Sequence, residues 1–225
     1  MIFVTGDTHG SIDSGKLSSS SLKKLTKNDY LIICGDFGFV WYGDNRDDKC
    51  LDWLESLPYT ILFVDGNHEN FDALNTYKIE LWNGGHVQFI RPHVIHLMRG
   101  EIFNIENKTF FSFGGAKSTD KMYRQEHISW WEQEMPSDAE YDNAFYNLDR
   151  VHWKVDYVIT HATSDIILGK IAPYYKHNKL TNFLSIVDSK LEYKHWYFGH
   201  YHLDEDIDRK HTLLYDIIRV VGEDT

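Results

Sequence analysis

The chain has 225 residues, 42% of them hydrophobic, and a formal net charge of −11 from 23 Lys and Arg against 34 Asp and Glu. That is enough apolar material for a full core, so one domain over residues 1–225 is expected. The acidic balance excludes a protein that coats long nucleic acid, because such binding runs on Lys and Arg contacts to phosphate. A small phosphorylated ligand stays compatible with it. Two cysteines, Cys34 in an apolar run and Cys50 in an expected helix, make no disulfide framework. Met1 leads directly into a strand without a basic segment or a signal core. No run reaches the ~18 apolar residues of a membrane span, so a soluble, cytoplasmic protein with no membrane partner is expected.

In chain order, short apolar runs at Ile2 to Thr5, Tyr30 to Cys34, Thr60 to Asp65 and Tyr157 to Thr160 read as strands. Helical character separates the first three. The serines 18–21 offer an N-cap before Leu22 and Leu25, and Asp47 to Leu57 carries apolar positions at Leu51, Leu54 and Leu57. Such alternation argues an α/β sheet with parallel strands. Beyond His86 the pieces His93 to Met98, Glu101 to Glu106 and Thr109 to Phe113 suggest antiparallel hairpins, with turns at 98–101 and at Asn107-Lys108. Residues 114–136 form an excursion off the sheet. Asp138 to Val151 reads as a helix with a stripe of Ala139, Ala144, Phe145 and Leu148, and Asn182 to Leu191 as another. His195 to Phe198 and Thr212 to Ile218 close the sheet. No repeat, low-complexity tract or linker interrupts the pattern.

Five motifs fall at the ends of these runs: Gly-Asp-Thr-His-Gly at 6–10, Gly35-Asp36, Gly-Asn-His-Glu at 66–69, Thr160-His161 and Gly-His-Tyr-His at 199–202. They offer Asp7, His9, Asp36, Asn67, His161, His200 and His202, a mixture of hard oxygens and borderline imidazoles suited to divalent metals. Two metals about 3.5–4 Å apart would address the inertness of phosphate esters, by lowering the pKa of a bridging water and neutralising phosphoryl oxygens. The alternation Asp7-Thr8-His9 and His200-Tyr201-His202 puts two donors on one side of an extended segment. The remaining histidines, among them His86, His96, His195 and His211, read as surface or satisfied core residues.

This set of blocks resembles the calcineurin-like metallophosphoesterase superfamily, whose pattern is Asp-x-His, Gly-Asp, Gly-Asn-His, His and Gly-His-x-His. The resemblance runs from Gly6 to His202. It implies an α/β fold, a four-layer two-sheet sandwich flanked by helices, and hydrolysis of a phosphate mono- or diester by a metal-bridging hydroxide. It assigns Asp7, His9 and His202 to one metal, Asn67, His161 and His200 to a second, and Asp36 to a bridge. His68 would protonate or electrostatically stabilise the leaving oxygen. Manganese is the expected metal, with iron, zinc, nickel or cobalt as alternatives.

The chain departs from the Ser/Thr protein phosphatases of that superfamily. Phe39 and Val40 stand where those carry an Asp-Arg pair, and Asp65 stands where they place an Arg, so a small substrate is expected, a nucleotide for example. The alternatives are a catalytically silent binding scaffold or a protein phosphatase. A cation for phosphate is sought in the 114–124 segment, where a Gly114-Gly115 turn exposing backbone N–H groups precedes Lys117, Lys121 and Arg124. That segment reads equally as a solvated loop. Asp65 and Glu69 either orient His68 or a ligand, or serve as solvated or capping groups. Trp41, Tyr42, Trp130 and Trp131 either stack a base or bury in the core.

Overall fold

The computed structural model describes residues 1–223. Thirteen strands form two mixed sheets. The first contains β1 (Ile2–Thr5), β2 (Tyr30–Ile33), β3 (Thr60–Phe63), β4 (Ile79–Trp82), β5 (Gly85–Arg91), β6 (Val94–Leu97) and β13 (Ile218–Val220), in the order β13-β1-β2-β3-β6-β5-β4. The second contains β7 (Glu101–Ile105), β8 (Lys108–Phe113), β9 (Tyr157–Thr160), β10 (His195–Phe198), β11 (Glu205–Asp208) and β12 (His211–Leu213), ordered β11-β12-β10-β9-β8-β7. β1, β2, β3 and β6 run parallel, as do β8, β9, β10 and β12.

Period-2 burial explains the layering. Val4, Ile32 and Leu62 of the first sheet meet Phe110, Ile159 and Tyr197 of the second in one core between the sheets. Their neighbours Phe3, Leu31, Ile33, Ile61 and Phe63 face the opposite way, onto Leu51 and Leu54 of helix α1 (Asn45–Ser56). On the second sheet Phe111, Phe113, Val158 and Trp196 face outward onto α3 (Asp138–Arg150), α4 (Asp165–Ile171) and α5 (Lys179–Lys190). Strands apolar on both faces are what a covered, largely parallel sheet demands. A one-turn helix α2 (Phe71–Leu74) follows the third motif, with Asn70 accepting from the Ala73 N–H. The expected sandwich flanked by helices is thus the observed architecture.

Several local expectations are corrected. The serine cluster yields only two 3-10 turns, Ser14–Ser18 and Ser20–Leu22, and neither preceding residue caps with its side chain. The 98–101 turn is no hairpin. It carries the chain from β6 in one sheet to β7 in the other. Only β7 and β8 form the anticipated hairpin. Two further hairpins are β5–β6 and β4–β5, the latter turning at Asn83 and Gly84, both at positive φ (49° and 98°). The Asn-Gly pair is a strong hairpin signal, because both residues tolerate positive φ. Residues 212–218 split between β12 and β13 in different sheets. In α3, capped by a Ser137–Glu140 box, the inward face includes Tyr141 and Asn147, while Ala139 is exposed.

Candidate metal centre

All five motifs follow the C-terminal ends of parallel strands: β1, β2, β3, β9 and β10. In open α/β sheets this is the edge where strand-end loops converge on a ligand. The loops are sewn together. The N–H groups of Thr8 and His9 donate to the Asp36 carbonyl at 3.0 and 2.8 Å, and the Gly199 N–H donates to the His161 carbonyl at 3.1 Å. Close approach requires glycine at two places in particular: a Cβ at Gly66 would collide with the Asp36 carboxylate, and one at Gly35 with the His161 ring. His9, Asp36, His200 and His202 adopt left-handed backbone, φ 44°, 46°, 76° and 51°. Such conformations cost about 1–3 kcal/mol each and gather where function over-determines geometry.

The side chains fall into two donor groups. Ligand atoms of Asp7, His9, Asp36 and His202 all lie within 4.8 Å of one another, and so do those of Asp36, His161 and His200. Asp36 is common to both. Its Oδ2 lies 3.2 Å from His9 Nε2 and its Oδ1 3.2 Å from His161 Nε2. Asn67 joins the second group, its Oδ1 3.3 Å from His161 Nε2. His202 Nε2 stands 3.3 Å from Asp7 Oδ2. That oxygen is buried and has no hydrogen-bond partner among the described residues. An orphaned carboxylate oxygen inside a cage of imidazoles is what a cation would complete, so the residues fit a metal.

Second contacts aim the donors. His9 Nδ1 is held by Asp13 Oδ2 at 2.7 Å and His161 Nδ1 by the Cys34 carbonyl at 2.8 Å, leaving both Nε2 atoms turned inward, the usual support of a ligating histidine. Lys16 donates to the carbonyls of Asp7, at 2.5 Å, and of Tyr215. The Tyr215 ring stacks on His202 with centroids 4.7 Å apart. Asp13, Lys16 and Tyr215 lie outside every motif, and nothing in their sequence context announced them.

Charge follows the geometry. Burial alone would lower His161 and His9, but Asp36 outweighs it, pushing His161 up to about 10 and His9 up to about 9. His200, with burial and the neighbouring His161 acting together, falls to about 3. Burial would raise Asp36, yet His161 and His9 hold it well below the usual carboxylate range. Glu69, fully buried beside Asp36, rises to about 8, mainly through burial.

His68 stands at the edge of the first group, its ring centroid 5.2 Å from that of His9. Arg124 lies against it, Nη1 3.4 Å from Nδ1 and Nη2 3.2 Å from Nε2, while its Nε donates to Asp120 at 2.9 Å. Burial first, and Arg124 among the nearby charges, lower the His68 pKa. The other two cations of the segment stand apart. Lys117 borders a cleft on the His200 side, and Lys121 sits 3.3 Å over the Trp130 ring. The Gly-Gly turn exposes little, because the N–H groups of Gly115, Ala116 and Ser118 donate to Asp65, Glu134 and Glu134. Its service is indirect: Glu134 fixes the Ser118 hydroxyl, which accepts from Asn67 Nδ2 at 3.2 Å.

Asp65 and Glu69 are neither solvated nor bonded to His68. Asp65 pairs with Arg99 and His96, and Glu69 receives the N–H groups of Phe37 and Gly38, bracing the Asp36 loop. Trp131 buries against the first core and donates to Asp72 at 2.7 Å. Trp130 is buried too, whereas Trp41 and Tyr42 line a cleft beside His9 and His68.

No curated protein matches the chain significantly. Among solved structures it is similar to a Staphylococcus aureus protein described provisionally as a 5′-nucleotidase in complex with α-ketoglutarate, at 13% identity and TM-score 0.49, covering 95% of this chain and 48% of that one. The chain therefore spans about half of that relative's length. It is also similar to the phosphopantetheinyl hydrolase of Mycobacterium tuberculosis, at 14% identity, TM-score 0.45 and coverage of 96% and 89%. A protein of unknown function from Aquifex aeolicus is similar at 16% identity and TM-score 0.37, covering 86% and 87%. The family model of calcineurin-like phosphoesterases matches residues 1–204, nearly the whole chain. With that match, the chain belongs to the calcineurin-like phosphoesterases.

Proposed function

We propose that this phosphoesterase works with two divalent ions and hydrolyses a small phosphate mono- or diester. The observation that carries the reading is the division of donors into two groups sharing Asp36. In this reading Asp7, His9 and His202 would hold one ion, Asn67, His161 and His200 the other, and Asp36 would be shared between them. The set of carboxylates, one amide and imidazoles suits manganese, with iron, zinc, nickel or cobalt as alternatives. When bound, such a pair supplies Lewis acidity that activates water and offsets phosphoryl charge.

The chain's own residues do the rest. Asp13 and the Cys34 carbonyl keep His9 and His161 in register, and Glu69 keeps the Asp36 loop from shifting. His68 gives a proton or a hydrogen bond to the departing oxygen. Arg124 is the cation assigned to a phosphoryl oxygen, since a guanidinium grips phosphate in a bidentate way and this one already touches His68. Lys121 is committed to Trp130 and has no assigned role.

A small substrate is supported by Phe39, Val40 and Asp65 in place of the protein-phosphatase arginine positions. Flanking clefts of about 420 and 490 Å³ are also on the scale of small-molecule sites. Two unpaired cysteines, Cys34 and Cys50, support a reducing, cytoplasmic setting. No helix among the described residues is long and apolar enough to cross a membrane. The test is metal content and turnover together. Wild type should bind two ions per chain after reconstitution and hydrolyse generic aryl phosphates, while Asp36→Asn should keep its fold and lose turnover. Full activity in Asp36→Asn, or no metal in reconstituted wild type, sinks the reading.

A further inference from the structure

Two clefts open beside the donor groups. The first, about 420 Å³, begins at His9 and His68 and is lined by Ile12, Phe39, Trp41 and Tyr42. The second, about 490 Å³, begins at His200 and is bordered by Tyr174, Tyr175 and Lys176. Of the two, the first holds His68. We infer that this first cleft is the leaving-group subsite and that it selects esters whose alcohol carries a flat aromatic ring, with Trp41 and Tyr42 reading that ring. The inference rests on phosphoester hydrolysis at the metal centre.

Position argues for the leaving group. A residue that assists the departing oxygen must sit where the alcohol leaves, and the space beyond His68 is this cleft. Chemistry argues for a ring. Ile12 is 81% exposed and Tyr42 54% exposed, so large apolar faces stand open to water at the rim of a charged centre. The cleft's charges are already spent. Arg46 lies 4.1 Å over the Tyr42 ring with Nε and Nη2 on the Asp44 carboxylate. Asp47 is buried and accepts the N–H groups of Trp41, Tyr42 and Gly43 at 2.8–3.1 Å. A second phosphate or an acidic peptide would find no unpaired Lys or Arg among the described residues there, whereas an uncharged ring finds aromatic and aliphatic surface.

Rigidity makes the surface effective. Besides the Asp47 bonds, Asn70 Nδ2 donates to the Trp41 carbonyl at 2.7 Å, and the Trp41 ring packs edge-on against Trp131 with centroids 5.7 Å apart. The Phe37–Gly38 stretch beneath is held by Glu69. Aromatic residues fixed before binding lose little freedom on contact, which is what turns buried area into selectivity.

Binding of non-hydrolysable phosphonates to the metal-reconstituted protein tests this, by calorimetric titration of butylphosphonate, 4-phenylbutylphosphonate and a nucleoside phosphonate. The ring-bearing compounds should bind roughly three- to tenfold tighter than the butyl compound, the scale of one aromatic contact. Tyr42→Leu, at an exposed position, and Trp41→Leu, its fold checked by circular dichroism, should erase that difference, and Tyr174→Leu should preserve it. Preference for both rings supports a general aromatic subsite, and preference for the nucleoside alone supports a nucleobase. Equal affinity for all three compounds, or a ring preference lost in Tyr174→Leu and retained in the Trp41 and Tyr42 variants, overturns the proposal. Since binding is read without turnover, ring preference with no hydrolysis of the parent esters would remove the hydrolase reading and with it the leaving-group role, leaving only a cleft that binds aromatic ligands.

Discussion

Asp36 is held from several sides: its carbonyl takes two N–H groups from the first motif, its Oδ1 takes the His68 N–H at 2.7 Å, and its backbone is left-handed. His68 therefore shares a fixed frame with the residue assigned to bridge the ions. If it assists the leaving oxygen, His68→Ala should lower turnover roughly a hundredfold for esters with poor leaving groups. The loss should shrink for a nitrophenyl ester, whose leaving group needs no proton. Steady-state kinetics on both esters check this, and equal losses would reassign His68 to phosphate binding. Arg124→Ala should weaken turnover of small esters with metal content unchanged. Metal uptake should also depend on pH. Asp36 raises His9 to about 9 and His161 to about 10, so at neutral pH both imidazoles hold protons that a metal must displace. Lower pH strengthens the proton competitor, so affinity should fall from pH 8 to pH 6. Calorimetric titration in buffers of different ionisation enthalpy should find protons released, and a count of zero at pH 7 would contradict the assignment.

At the scale of elements, the segment between β2 and α1 carries both the Asp36 loop and the aromatic lining of the first cleft. Asp44 caps α1 by accepting from the Arg46 N–H, and Asp47 and Asp48 place negative charge in its first turn. Asp47 does more, because its buried carboxylate collects the N–H groups of three successive residues. Asp47→Ala should therefore cost about 1–3 kcal/mol, the penalty for stranding buried donors. Asp48→Ala, which removes one exposed ion pair with Arg91, should change stability by about 0.5 kcal/mol or less. Thermal unfolding of the two variants separates them, and equal shifts would mean that Asp47 is only a charge.

Across the whole molecule, one buried ion pair ties the sheets at the end that carries the site. Asp65, beyond β3, accepts from Arg99 Nε and Nη2 at 2.9 and 2.5 Å, and Arg99 sits where the chain passes from β6 to β7. Arg99 also donates to the Gln133 carbonyl at 2.8 Å and reaches Glu140 of α3. Removing one partner of such a pair strands the other charge, so Arg99→Met should cost about 3–5 kcal/mol. Burial would raise Asp65, but Arg99 and His96 bring it down to about 2. A carboxyl lowered from its ordinary 3.8 contributes stability that is full above about pH 4 and lost as pH falls toward 2. Denaturant titrations from pH 5 to pH 2 should register that slope in the wild type and a shallower one in Arg99→Met.

The sequence by itself determined the strands that carry the motifs and the placing of metal-ligand residue types at their ends, because continuous apolar runs and the residues that end them are local. Ile2–Thr5 and His195–Phe198 each ended at a motif as expected, while the strand from Thr60 stops at Phe63, two residues short of the expected Asp65. The capping box of Ser137 and Glu140 and the Asn83-Gly84 turn were equally legible, though neither was read. Only the tertiary structure decided what depends on distant pairing. That β6 and β7 belong to different sheets follows from which neighbours cover them, and no local pattern encodes that. Arg124 reaches His68 across 56 residues, while Lys117 and Lys121, nearer neighbours in the same segment, turn elsewhere. The N–H groups of the Gly-Gly turn looked free in the sequence and are consumed by Asp65 and Glu134. Hydrogen-bond partners of buried groups are chosen by packing, and packing exists only once the sheets have met.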